Sequence, residues 1–255
     1  MNEYIHTDSR LERRPCREIR LGDLRIGGDN PIIVQSMTNT DTRDVEATCE
    51  QVQALADAGC ELVRLAVLDE KAAAVLGRIR QASPVPLVAD IHFNHKLAVA
   101  ALEAGLEGVR INPGNIGGPD KVDIVVDAAR AHNAAIRVGV NSGSVEKPLL
   151  EKFGGPVPEA MVESAMGHVL MLEERDFYNT KISIKSSSVL DTIAAYRLLA
   201  EECDYPLHIG VTEAGTLLRG SIKSAVGLGV LLAEGIGDTL RVSLTHDPVA
   251  EPGVA

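Results

Sequence analysis

Tryptophan is absent from this sequence of 255 residues, and four Tyr with three Phe bring the aromatic share to only 3%. The core cannot be built on large rings and must come from Val, Ile, Leu and Ala, which suits parallel strands covered by helices. Cysteine is equally sparse: Cys16, Cys49, Cys60 and Cys203 are the four present, none spaced as C-x-x-C. That spacing argues against a secreted disulfide framework and against a complete metal motif, so no metal ligand is assigned. No apolar run approaches the roughly 20 residues needed to span a bilayer. The N-terminal string MNEYIHTDSRLERRP is charged and lacks the apolar stretch of a signal peptide, making cytoplasmic residence the default expectation. Basic residues are outnumbered, 25 Lys and Arg against 36 Asp and Glu, for a net charge of −11. Such a surface is expected to repel nucleic acid and anionic membranes. A concentrated basic cluster would run against that sign and is the more informative for it.

What is present is a regular alternation. After a charged arm, EIRLGDLRIGG (18–28) predicts a β-hairpin turning at Gly22-Asp23, so residues 1–30 are assigned as arm and hairpin. From Pro31 onward short β-rich runs alternate with amphipathic stretches such as DVEATCEQVQALADAG and DTIAAYRLLAEEC. The β-rich runs are IIVQS, ELVRLAV, PLVAD, GVRIN, AIRVGV, KISIKS, LHIGVT and DTLRVSL. Helices ending at Gly59, Gly105 and Gly235 lead straight into the next run, Gly supplying the left-handed conformation that stops a helix. Repeated strand–helix units imply a parallel sheet. About eight units in about 250 residues is the arithmetic of a (β/α)₈ TIM barrel, here over residues 31–250 with the hairpin across its N-terminal end. A doubly wound open sheet is disfavoured by the regularity and by the lack of a G-x-G-x-x-G turn after the first strand.

Side chains alternate between the faces of a strand, which splits each run into two sets. Val63, Leu65 and Val67 oppose Leu62, Arg64 and Ala66; Val109 and Ile111 oppose Gly108, Arg110 and Asn112. Ile136, Val138 and Val140 oppose Ala135, Arg137, Gly139 and Asn141; Ile182 and Ile184 oppose Lys181, Ser183 and Lys185; Leu240, Val242 and Leu244 oppose Thr239, Arg241 and Ser243. The uniformly apolar set must face the helices, so the polar set points into the barrel. Asp90 and His92 join it from PLVADIH, and His208 and Thr212 from LHIGVT. Barrel interiors are normally filled by branched apolar side chains. Arg64, Arg110, Arg137, Lys185 and Arg241, clustered in a low dielectric, would repel one another by several kcal/mol unless counter-charged. Asp90 neutralises only part of that. A multiply charged oxyanion such as a diphosphate is the natural completion, and Arg suits its bidentate geometry. The Gly- and Asn-rich INPGNIGG is either an oxyanion cradle or a tight turn. Among Ser186, Ser187 and Ser188 one is expected to cap a helix. Glu213, at the C-terminal end of the seventh strand, is either a general acid or a loop carboxylate paired with Arg.

The strings QSMTNTDT (35–42), RINPGNIG (110–117), GVNSGS (139–144), SIKSSSV (183–189), GVTEAG (210–215) and KSAVGLGVLLAEGIGDTLRVSLT (223–245), in this order, closely resemble the 4-hydroxy-3-methylbut-2-enyl diphosphate synthase family. The resemblance runs from about Arg17 to about Pro248. It implies a (β/α)₈ barrel that binds 2-C-methyl-D-erythritol 2,4-cyclodiphosphate for reductive opening in non-mevalonate isoprenoid biosynthesis. It further implies a separate domain carrying a [4Fe–4S] cluster on three cysteines and a glutamate, closing over the barrel of a homodimer partner, with ferredoxin or flavodoxin as reductant. Diphosphate contacts carry over to Arg64, Arg110, Arg137, Asn141, Lys185, Arg241 and Ser243. Asp90, His92, Thr212 and Glu213 fall around the organic part, with Glu213 as the expected proton donor. No cysteine pattern here supplies the cluster ligands, and HDPVAEPGVA follows directly on the eighth strand. The cluster domain is therefore expected to lie outside these residues, and this chain alone to bind substrate without turning it over. Two other readings remain at this stage. One is a pterin-binding barrel of the dihydropteroate synthase kind, the other a non-catalytic diphosphate-binding module.

Overall fold

The computed structural model describes residues 12–212 and 214–255. Two short strands, β1 (Ile19–Leu21) and β2 (Leu24–Ile26), form the expected antiparallel hairpin, Ile19 opposite Ile26 and Leu21 opposite Leu24. Gly22 makes the turn at φ +59°, a left-handed value open to Gly without steric cost. The barrel strands follow: β3 (Ile33–Met37), β4 (Leu62–Ala66), β5 (Leu87–Asp90), β6 (Gly108–Ile111), β7 (Ala135–Asn141), β8 (Thr180–Lys185), β9 (His208–Ile209) and β10 (Thr239–Leu240). All pairings among them are parallel, in the order β8-β7-β6-β5-β4-β3-β10-β9. A parallel bridge between Ile182 and Leu207, with the Ile182 amide donating to the Pro206 carbonyl at 3.0 Å, joins β8 to β9 and closes the ring.

Seven crossovers carry helices: α1 (Val45–Asp57), α2 (Glu70–Ala82), α3 (His95–Glu103), α4 (Pro119–Ala131), α5 (Lys147–Phe153) with α6 (Pro158–Glu173), α7 (Val189–Glu202) and α8 (Leu217–Ala233). Side-chain caps start several of them: Asp44 on Ala47, Asp69 on Ala72, Asn94 on Lys96 and Ser188 on Asp191, each satisfying an orphan amide. Gly59, Gly105 and Gly235 follow α1, α3 and α8 at φ +96°, +90° and +74°, as the stop signals predict. Two expectations need adjusting. The last two strands are only two residues long: the Arg241 amide still donates to the Ile209 carbonyl at 3.1 Å, but further on Leu244 turns to a side-chain carboxylate and Thr245 to the Gly215 carbonyl. After β10 comes a 3₁₀ turn, Pro248–Ala250, packed against α1 where an eighth crossover helix would otherwise lie.

The apolar strand faces pack outward on the helices in one large core, which includes Val63, Leu65, Val109, Ile136, Val138, Ile182 and Ile184. A second, smaller core lies at the N-terminal end, where Ile19, Leu21 and Ile26 of the hairpin meet Ile33, Leu62, Val88 and Ala135 of the barrel floor. The hairpin is thus a plug, and Ile26, fully buried, is its deepest side chain. Ile26→Ala should cost about 2–5 kcal/mol, the range for truncating a buried aliphatic side chain. Chemical denaturation with the midpoint as readout checks this; an unchanged midpoint would show the plug to be dispensable.

Candidate functional site

Alternation puts polar side chains inward from every barrel strand, and the C-terminal mouth gathers them. A cavity of about 190 Å³ is lined by Arg64, Asp90, His92, Arg110, Arg137, Asn141, Ser183, Lys185, Thr212, Arg241 and Ser243. All ten residues expected to bind substrate are brought together there, and Ser183 joins them from the same inner set. Glu213 lies outside the described residues. Roomier hollows exist elsewhere, one beside the hairpin between Arg17 and Asn179, but none of them gathers the inward cations.

The charges are partly organised. Asp90, buried, takes Arg64 Nε at 3.3 Å and Arg110 Nη1 at 3.2 Å, with His92 Nε2 at 3.6 Å. Burial pushes this carboxyl upward, but Arg64, the His92 hydrogen bond and Arg110 together hold it far below the usual carboxylate range. Arg110 also donates through Nη2 to the Gly139 carbonyl at 3.0 Å. A Cβ at Gly139 would sit 2.4 Å from Arg110 Nε, and one at Gly210 would sit 2.8 Å from Lys185 Nζ. Both glycines therefore make room for a cation to cross the barrel. Neither was singled out from sequence, because the reason is a neighbour on another strand. Met37, also missed, lays its sulfur 3.0 Å from Arg64 Nη2.

Arg241 is fully engaged on one edge. Its Nε and Nη2 each donate to Glu251 at 2.9 Å, in a bidentate pair that sequence reading did not foresee. Arg137 and Lys185 differ. Arg137 is 2% exposed with Nε and Nη1 unpartnered, and neither residue has a hydrogen bond or ion pair among the described residues. Burial first, then Arg64 and Arg110, hold Arg137 well below its ordinary value. Burial, Arg137 and Arg64 do the same to Lys185. Among the described residues five basic side chains face two carboxylates, so basic groups outnumber acidic ones by three. A buried guanidinium without an acceptor is costly, and an oxyanion supplies what is missing.

One layer deeper the interior stays polar. Gln35, Lys181 and His208 are almost wholly buried; His208 Nδ1 pairs with Thr239 Oγ1 at 2.8 Å, while Gln35 and Lys181 Nζ lack partners. Burial and the cations above keep both Lys181 and His208 well below their ordinary values. At the rim, INPGNIGG forms a 3₁₀ turn, Pro113–Asn115, capped by Asn112, and it does not line the cavity.

A family description, GcpE TIM-barrel domain, matches residues 16–255. The chain belongs to this family. Its curated relatives include proteins named 4-hydroxy-3-methylbut-2-en-1-yl diphosphate synthase (flavodoxin). That of Maridesulfovibrio salexigens is 67% identical over 96% of this chain and 68% of its own length. That of Lawsonia intracellularis is 68% identical over 95% and 68%, and that of Nitratidesulfovibrio vulgaris 68% identical over 96% and 64%. The chain thus spans about two thirds of the length of these family members and corresponds to their barrel. Solved barrels that superpose on it include a sialic acid synthetase from Leptospira borgpetersenii (TM-score 0.64, 14% identity, 95% of this chain and 86% of that one). A dihydropteroate synthase from Yersinia pestis follows (TM-score 0.61, 14% identity, 91% and 93%). At such identities the likeness is one of fold alone, so the pterin reading gains nothing from it.

A cluster on this barrel's own thiols does not fit. Cys16 Sγ lies 3.3 Å from Asp238 Oδ1, Cys60 is buried with Sγ 3.2 Å from the Leu62 carbonyl, Cys49 sits in α1, and Cys203 ends α7. Burial pushes Cys16 and Cys60 up to about 11, the reverse of what a thiolate ligand needs. Among the described residues no three His, Cys, Asp or Glu side chains converge. No helix among them is long and apolar enough to cross a membrane.

The strained charge has a thermodynamic signature. With its folded pKa lowered, Lys185 binds fewer protons folded than unfolded between that value and about 10.4, so stability rises with pH across this window. The penalty is largest below it. Lys185→Met should raise the melting temperature of the ligand-free chain at neutral pH by about 2–6 °C and flatten its rise with pH. Melting curves from pH 6 to 10 test this, and an unchanged slope would show that Lys185 carries no such cost.

Proposed function

We propose that this barrel is the substrate-binding part of a 4-hydroxy-3-methylbut-2-enyl diphosphate synthase, holding 2-C-methyl-D-erythritol 2,4-cyclodiphosphate in the pocket at its C-terminal mouth. The observation that supports it best is the buried pair Arg137 and Lys185, without hydrogen bond or ion pair among the described residues, beside Arg64, Arg110 and Arg241. A cyclic diphosphate carries one negative charge on each phosphorus, of the sign that this excess of basic groups among the described residues calls for. Asn141 and Ser243 add neutral donors at the same rim.

In this reading the barrel binds and orients. Its cations fix the diphosphate, so the carbon skeleton is presented toward the open mouth, and the wall of fixed dipoles replaces water around the phosphates. Asp90 keeps Arg64 and Arg110 aimed, and His92, half exposed beside it, reaches the organic part of the substrate. Glu213 stands in sequence between Thr212, which lines the pocket, and Ala214, and is the proposed proton donor. The reaction takes up two electrons and releases one oxygen as water. The reducing group comes from outside this barrel, on a cluster domain closing from a homodimer partner, with flavodoxin, which appears in the relatives' names, as electron source. The anion-first assignment also covers the simpler alternative of a non-catalytic binding module, which the experiments below separate.

Binding should raise the melting temperature by mass action, with the cyclic diphosphate more effective than inorganic diphosphate. Arg137→Ala should cost about 2–5 kcal/mol of affinity while leaving the fold intact, since it removes a desolvated charge from its partner. Calorimetry decides, and full affinity in that variant would remove Arg137 from the site. Binding should also take up protons, because the incoming anion raises Lys185 back toward its ordinary value. The cyclic diphosphate's own acid groups do not titrate near neutrality, so the uptake reports the protein. Calorimetric heats in buffers of different ionisation enthalpy, measured from pH 6 to 10, should diverge where Lys185 titrates and coincide in Lys185→Met. Anaerobic treatment of this chain with iron and sulfide should give no cluster absorption; adding a cluster-bearing partner domain with a reductant should give product, which a pure binding module would not.

A further inference from the structure

Behind the anion pocket stands a carboxylate that does not line it. Glu251 is 2% exposed and lies just after the 3₁₀ turn that follows β10. Its carboxylate accepts four hydrogen bonds: Arg241 Nε and Nη2 at 2.9 Å each, Ser36 Oγ at 2.6 Å and the Leu244 amide at 3.1 Å. Ser36 belongs to β3 and Arg241 follows β10, so one side chain ties neighbouring strands together. The segment bearing it is itself docked. Asp247 accepts from the Val249 amide at 3.0 Å, Pro248 is buried, and Val249 packs against the main core.

A site short of negative charge gains nothing electrostatically from a carboxylate behind one of its cations; by Coulomb's law it weakens the pull on an anion. What the pair supplies is direction. With Nε and Nη2 held, the guanidinium cannot rotate, and Nη1 is the nitrogen left over, 3.6 Å from Met37 Sδ beside Arg64. A preformed fork spares the ligand the cost of ordering a long side chain.

We propose that Glu251 is a positioning residue for Arg241, presenting Nη1 to a phosphate oxygen, and that through it anion binding is coupled to the docking of residues 247–255 on the barrel. This rests on the diphosphate reading of the pocket. The coupling is positive: an anion that needs Arg241 in this orientation favours the Glu251 bridge, and by reciprocity the docked segment favours the anion.

The test is calorimetric titration with inorganic diphosphate of the wild-type chain, Glu251→Gln, Arg241→Met and the double variant. Glu251→Gln should bind about 5–20-fold more weakly although it makes the site more positive, and the same change should cost less than about 2-fold in the Arg241→Met background, where no fork remains to be aimed. Equal or tighter binding by Glu251→Gln would mean that the carboxylate only balances charge. An equal loss in both backgrounds would mean that it acts on something other than Arg241; either result overturns the proposal. Should the variants fold poorly, hydrogen exchange on the wild-type chain decides: amides of 247–255 should exchange more slowly with saturating diphosphate, and unchanged or faster exchange refutes the coupling. Failure of the wild-type chain to bind diphosphate would instead bring down the reading of the pocket and this inference with it.

Discussion

Like charges confined in a low-dielectric barrel govern this structure. Arg64, Arg110, Arg137, Lys185 and Arg241 converge where an ordinary barrel packs aliphatic side chains, and among the described residues Asp90 and Glu251 are the carboxylates that pair with them. Gly139 and Gly210 give up their side chains so that guanidinium and ammonium groups can lie across the barrel. Deeper still, Lys181 and His208 hold their protons less readily than usual, because burial and the cations overhead disfavour the protonated forms. The repulsion is tolerable because the outer core, mostly aliphatic with Tyr196, Tyr205 and Phe177 among its members, and the aliphatic hairpin core supply the cohesion.

Stability and affinity are therefore opposed within the same side chains. An interior designed only to fold would carry Leu or Met at positions 137 and 185. The folded chain instead keeps buried donors at Arg137 without acceptors among the described residues, and under the proposed reading an anion would return the free energy they withhold.

Much of this was legible in the primary structure, and the reason is geometric. A strand shows its two faces at a period of two, so the opposition of Val109 and Ile111 to Arg110, or of Ile182 and Ile184 to Lys181 and Lys185, can be read without coordinates. Gly stops after helices are equally local, and Gly59, Gly105 and Gly235 all take the left-handed backbone that this role requires. What escaped was non-local. Glu251 lies ten residues beyond Arg241, outside any strand, and only the path of the turn between them brings their side chains together. Met37 sits on a strand whose faces do not divide cleanly into polar and apolar, because Gln35 and Ser36 point opposite ways and both are polar and buried. The shortness of β9 and β10 was hidden because their apolar periodicity continues after the ladder ends. Lys181 had the right face but the wrong depth, a distinction that alternation cannot make.

The plug at the N-terminal end has a kinetic meaning. With Leu21 and Ile26 seated on Ile33, Leu62, Val88 and Ala135, the barrel is a vessel with one doorway. Whatever enters must leave by the way it came, and the water it displaces must escape past it. Departure of one occupant and arrival of the next are then mutually exclusive events, so residence time sets the ceiling on turnover for anything this chamber serves. The positive lining of the mouth sits within a chain of net charge −11, and its field is strongest toward that doorway. Anions near the mouth are drawn in while those elsewhere are turned away, a traffic rule that should fade as salt shortens the reach of the field.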